Sequence, residues 1–167
     1  MLTIRSTRRK FGTAIASFIS GMGLTSARAR ALAATAAQAK SVEKLDDEGK
    51  AGKTSSFIMP IVRHNGLIYV AGQGAHDSRP SAQWNIEDHT RTVMDKVKNL
   101  VARGGSTMDN VVQLSVFLAK IEDYDGMNKV FRTYFPNGGP ARTTVAVAAL
   151  PGNSLVEINC IAAVSGS

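Results

Sequence analysis

The order of apolar runs and turns predicts an α+β domain, one sheet with two helices on one face, in the order β-β-α-β-α-β-β. Three observations carry that prediction. Short β-branched and aromatic runs pair across tight-turn sequences at both ends of the body. Two segments between them repeat apolar residues at spacings of three and four. A strand-like run, Val111–Leu118, separates those two segments.

The elements follow in order. Phe57–Val62 is a short apolar run, and Pro60 pushes it toward a sheet edge. Asn65-Gly66 signals a turn, and Leu67–Ala71 supplies the second strand of a hairpin. A Gly-rich polar loop, Gly72–Asn85, comes next. Ile86–Arg103 carries Ile86, Thr90, Val93, Val97, Leu100 and Val101 on one stripe. Asn85 can cap that helix, Glu87 and Asp88 suit its positive end, and Gly104-Gly105 stop it. Asp123–Phe135 forms the second helix, with Met127, Val130, Phe131 and Tyr134 on a shared face. Arg142–Leu150 and Leu155–Ala163 form a closing hairpin across Pro151-Gly152-Asn153-Ser154. Their alternation sets Arg142, Thr144 and Ala146 on the same face as Leu155, Glu157 and Asn159. That mixed face predicts a subunit interface.

Charge divides the chain. The formal net charge is +7, from 20 Lys+Arg against 13 Asp+Glu. Residues 1–31 carry Arg5, Arg8, Arg9, Lys10, Arg28 and Arg30 and no acid. The remainder is close to neutral and offers no net counter-charge for a phosphate backbone, so nucleic acid is not an expected partner. The N-terminus runs from a basic segment through a 13-residue apolar stretch, Gly12–Leu24, to small residues at Ala29–Ala34. That order, with Arg8-Arg9 before Phe11, resembles a twin-arginine signal peptide over residues 1–33. It implies cleavage after Ala31 or Ala33, a transient encounter with the twin-arginine export machinery, and a periplasmic or otherwise exported protein. The apolar stretch falls short of the ~20 residues needed to span a bilayer, so stable membrane insertion is not expected. Residues 34–56 are polar and read as a linker, which leaves residues 57–167 as the folded domain.

Several chemistries lack their patterns. One Cys cannot form a disulfide within the chain. His64, His76 and His89 show no metal-ligand spacing, so no metal site is expected. No G-x-S-x-G elbow is present, and Cys160 lies mid-strand among aliphatic residues, where thiols usually pack and stay inert. Gly72-Gln73-Gly74 does not complete a phosphate loop. A charge pair stands out instead. Arg142 opens a strand and Glu157 sits inside the next one, between Val156 and Ile158. A carboxylate in that company needs a partner or a task, and a plain salt bridge is the structural alternative.

The stretches LIYVAGQG (Leu67–Gly74), FLAKIEDYDGMNKVFRTYF (Phe117–Phe135), GPARTTVAVAALPG (Gly139–Gly152) and LVEINCIAAV (Leu155–Val164) resemble the Rid/YjgF family. These are reactive-intermediate (enamine/imine) deaminases, once also called L-PSP ribonucleases. The resemblance implies a chorismate-mutase-like α+β subunit, a homotrimer with clefts between subunits, and no cofactor. It implies that Arg142 grips a substrate carboxylate, that Glu157 orients water, and that Asn128 and the Gly72 backbone face the cleft. Thr144 stands where many deaminating members carry Cys, and Phe57 or Ile58 where a Tyr often lines the cleft. The expected reaction is hydrolysis of a 2-imino acid to a 2-keto acid and ammonia. The alternative is a non-catalytic trimer that binds small carboxylates, and a ribonuclease is a third reading.

Overall fold

The computed structural model describes residues 42–80 and 83–166. The chain divides into two units, Met1–Gln38 and Ala39–Ser167, and the described residues belong to the second. The expected signal peptide over residues 1–33 lies outside them.

A six-stranded sheet is built from β1 (Glu43–Leu45), β2 (Ile61–His64), β3 (Leu67–Gly74), β4 (Val111–Leu118), β5 (Ala141–Ala146) and β6 (Val156–Ala163). Their order across the sheet is β1-β2-β3-β6-β4-β5. Two helices, α1 (Ile86–Arg103) and α2 (Tyr124–Tyr134), pack against each other, and α1 lies over β3 and β6. The α+β expectation with two helices thus holds, and the sheet is mixed: β4 and β5 run parallel while the other pairs are antiparallel.

Local chemistry explains the elements that matched. Asn65 and Gly66 adopt φ of 50° and 74°, the left-handed pair that a two-residue hairpin turn demands between β2 and β3. Asn85 Oδ1 accepts from the Glu87 and Asp88 N–H groups at 2.8 and 3.3 Å, which fixes the start of α1. Its buried stripe, Val93, Met94, Val97, Leu100 and Val101, meets Ile68, Val70, Ile158 and Cys160 in one core. On β6 burial alternates strictly, with Val156, Ile158, Cys160 and Ala162 inward.

Four expectations change. Residues 42–56 are more than a linker, since Glu43–Leu45 pairs antiparallel with Ile61–Arg63 and Leu45 enters the core. A single aliphatic residue with two ladder partners is enough to dock that edge. Phe57–Val62 is not a strand throughout: pairing starts at Ile61, because Pro60 has no N–H to give the ladder. Its carbonyl still accepts from Ala71 N–H at 3.0 Å. The third change is topological. β5 and β6 do not form a hairpin. They flank β4 on its two sides, and the chain between them turns past the end of that strand. Val147 N–H donates to Leu118 O, and Ala119 N–H donates to Leu155 O, both at 2.9 Å.

The fourth change follows from the third. Arg142 aligns with Leu114 on β4, which aligns with buried Cys160 on β6. Arg142 therefore belongs to the helix side of the sheet. Glu157 aligns with Phe117 and Val145 on the other side. Strand alternation fixes which residues share a face within one strand, but the face itself depends on register against the neighbour. Among the described residues, no element covers the face that carries Tyr69, Phe117, Val145 and Glu157, and Tyr69 and Val145 are exposed there.

Candidate active site

Arg142 is held by α2. Its guanidinium carbon lies 4.6 Å from the centre of the Phe131 ring and 5.8 Å from that of Tyr124. Nη2 donates to the Tyr124 hydroxyl at 3.3 Å, and Nη1 reaches the Met127 sulfur at 4.0 Å. These residues sit at i, i+3 and i+7 of one helix, so a single helical flank makes the cradle. Asn128, half-buried, lies on that flank between Tyr124 and Phe131. No described carboxylate pairs with Arg142. A half-buried guanidinium with five donors, stacked on an aromatic face and lacking an anion, is poised to receive one.

Thr144 stands two residues further along β5, on the same side of the sheet. Its Oγ1 is buried with no hydrogen-bond partner among the described residues. Orphaned buried hydroxyls are uncommon, and this one lies beside the unpaired cation.

Glu157 forms a second group of features. It is half-buried on β6, opposite Gly74 on β3. A β-bulge between Val70 and Gln73 shifts the β3 register here. The carboxylate leans over Gly72, where an added Cβ would overlap Glu157 Oε1. A larger residue than Gly72 would push the Glu157 carboxylate aside, and Gly72 itself is exposed.

The expected residues therefore fall into separate places within one chain. Arg142, Thr144 and Asn128 line the β5 edge on the helix side. Gly72 and Glu157 meet on the open face. Between Arg142 and Glu157 lie two strand spacings, roughly 10 Å, and the thickness of the sheet. Phe57 and Ile58, 99% and 67% exposed, precede β2 near the opposite edge, roughly 19 Å of strand spacing from β5. Phe57 lines a groove of about 500 Å³ with Val42, Lys44, Met59 and Val62, and Ile58 stands outside that lining. A simple Arg142–Glu157 salt bridge is excluded by this arrangement.

Tyr124 is a site residue the sequence reading missed. It lies outside the apolar stripe of its helix, and only its spacing to Phe131 and Asn128 marks it. Two other candidates resolve as structure. His89 is 2% exposed; its Nδ1 accepts from Leu155 N–H at 3.0 Å and its Nε2 lies 2.8 Å from Asp77 Oδ2. Both ring nitrogens are occupied, tying the loop after β3 to the start of β6. Hydrogen bonds from the Arg79 side chain hold the Asp77 carboxyl well below the usual carboxylate range, with His89 adding to the effect. Cys160 is buried on the core side, and burial pushes its thiol up to about 12. That thiol stays protonated near neutrality and is no nucleophile. Among the described residues, no group of His, Cys, Asp or Glu is arranged to hold a metal ion.

Fold and site together define a class: an α+β subunit with an arginine that no described carboxylate pairs on one sheet edge, and a carboxylate over a glycine on the face that no described element covers. The chain belongs to the family described as endoribonuclease L-PSP, whose model matches residues 53–164. It is similar to the Arabidopsis thaliana protein named reactive intermediate deaminase A, chloroplastic, at 30% identity over 95% of this chain and 89% of that one. It is 34% identical to the Schizosaccharomyces pombe mitochondrial protein mmf2, over 61% of this chain and 83% of the relative. A crystal structure described as a putative endoribonuclease L-PSP from Entamoeba histolytica superposes with a TM-score of 0.64 at 32% identity, covering 74% of this chain and 100% of that one. At the level of class, the family supports a cofactor-independent deaminase acting on reactive enamine or imine intermediates.

The relatives correct one expectation. Export to a periplasm is overturned, since relatives such as the mitochondrial mmf2 and MMF1 and the chloroplastic deaminase carry other compartments in their names, and the encounter with the twin-arginine machinery is without support. The twin-arginine run that prompted the expectation lies outside the described residues. No helix among the described residues is long and apolar enough to cross a membrane.

Proposed function

We propose that this chain hydrolyses 2-imino acids to 2-keto acids and ammonia, at sites that each need two copies of the chain. The observation that carries the proposal is the stacked, unpaired Arg142 beside the orphaned Thr144 hydroxyl. A guanidinium fork grips a carboxylate through two parallel hydrogen bonds and fixes the adjacent imine carbon in one pose. Asn128 adds a polar group on the same edge, and the buried Thr144 hydroxyl lies behind Arg142 on the same strand. Glu157 lies on the opposite side of its own sheet, so its role is served toward Arg142 of a neighbouring copy. The uncovered sheet face, which holds Glu157, supports a homotrimer in which that face meets the neighbour. Phe57 and Ile58, standing free near the far edge, are then placed to wall the shared cleft.

The chemistry needs a water and a proton path. Glu157 takes a proton as the water oxygen bonds to the protonated imine carbon, and the C=N π pair moves to nitrogen. Glu157 then returns that proton to the nitrogen. The C–N bond breaks with its pair leaving on ammonia, and the hydroxyl proton passes back to Glu157 as the keto group forms. Glu157 passes that last proton to the departing ammonia and is a carboxylate again, so protonated imine plus water gives ketone plus ammonium.

The test is ammonia release from imines generated by an amino-acid oxidase. Wild type accelerates release, and Arg142→Ala abolishes the acceleration. Full activity in Arg142→Ala, or no acceleration with any imine, refutes the proposal. A second reading, a non-catalytic binder of small carboxylates, is favoured by the completeness of the Arg142 cradle within one chain. It predicts that 2-keto acids raise the melting temperature while turnover stays absent.

A further inference from the structure

The Arg142 cradle contains a donor that none of the described residues uses. The Tyr124 oxygen accepts from Arg142 Nη2 at 3.3 Å. A phenol that accepts through a lone pair keeps its own O–H to donate, and Tyr124 has no acceptor for it among the described residues. Tyr124 is 39% exposed, and its hydroxyl lies beside the guanidinium, which in turn lies over the Phe131 ring.

We propose that Tyr124 positions Arg142 and supplies a second donor to the bound carboxylate, so that the site selects 2-imino and 2-keto acids over their uncharged analogues. The inference rests on the reading of Arg142 as the carboxylate grip and names how that grip is made selective. The ring and the hydroxyl play separate parts. Stacking on Phe131 sets the guanidinium plane, and the hydroxyl pins rotation within that plane by engaging one Nη. A carboxylate that meets the remaining N–H groups then has the phenol O–H alongside, a charge-assisted hydrogen bond that a neutral amide receives more weakly. Met127 and Phe131 cannot be probed cleanly, because they are 0% and 6% exposed and belong to the core. Tyr124 can be, since it is outside that core.

The experiment compares wild type with Tyr124→Phe, which keeps the ring and removes the hydroxyl. Titration calorimetry measures 2-oxobutyrate and its carboxamide, and the ammonia assay gives KM and kcat. The inference expects the Kd for 2-oxobutyrate to rise about tenfold, with weak carboxamide binding unchanged. KM for the imino acid rises in parallel, kcat moves by less than about twofold, and the melting temperature holds. Equal 2-oxobutyrate affinity in the two proteins overturns it, as does an equal loss for the carboxamide. If wild type turns over no imine but the Kd shift appears, the deaminase reading fails and the Tyr124 role stands. If turnover is present and Tyr124→Phe matches wild type, the reverse holds. If wild type binds no keto acid, both fall.

Discussion

Gly72 separates chemistry from folding by one carbon. It lies on an exposed stretch of β3, and the three atoms nearest an added Cβ all belong to the Glu157 side chain. Gly72→Ala is expected to displace that carboxylate and lower kcat by at least about tenfold. Its stability cost stays below about 1 kcal/mol, because no core packing is touched. Parallel kinetics and thermal melts check both halves. Asp77 gives a pH prediction. Arg79 holds its carboxyl below the ordinary range, so the folded state binds the proton less tightly than the unfolded chain. That linkage stabilises the fold above roughly pH 4 and is lost as pH falls further. Asp77→Asn is expected to flatten the acid limb of a stability-versus-pH curve. Single residues were also where the sequence was most legible. Arg142 and Glu157 stood out as charges in apolar strands, whereas Tyr124 did not, because nothing in a one-dimensional pattern reports that a phenol touches a distant arginine.

At the scale of elements, legibility followed the range of the forces. The boundaries of α1 and β4 match the structure because capping, helical periodicity and alternation are local. The β2–β3 turn is local too, and Gly66 at φ 74° is expected to cost about 1 kcal/mol or more when replaced by Ala, read from denaturant unfolding. The β5–β6 connection was misjudged because alternation identifies a strand without naming its partner. Parallel pairing of β5 with β4 is a long-range choice, made possible by α2 as the crossover. That choice turned Arg142 to the helix side. β1 was missed for the opposite reason, since three residues at an edge carry too little pattern to be seen.

At the scale of the molecule, no described element covers one face of the sheet, and the residues on it are neither core nor freely wet. Tyr69, Phe117 and Val145 share that face with Glu157. Burying it against other copies reconciles the two halves of the site, since no motion within one chain brings Glu157 through the sheet to Arg142. On the proposed homotrimer, Val145→Lys is expected to shift sedimentation from trimer to monomer and to remove turnover, with the far-ultraviolet dichroism unchanged. Charge also belongs to this scale: the excess lies in residues 1–31, and the folded body approaches neutrality. A body so close to neutral suits a small anionic metabolite held by one arginine better than a polyanion.

The most direct test of a shared site is complementation. Arg142→Ala and Glu157→Gln are each expected to release no ammonia from imines alone. Mixed by unfolding and refolding together, they form some interfaces with an intact Arg142 on one copy and an intact Glu157 on the next. Statistical assembly makes that about a quarter of the sites, so about a quarter of wild-type activity returns. A mixture that stays as inactive as its components contradicts the account.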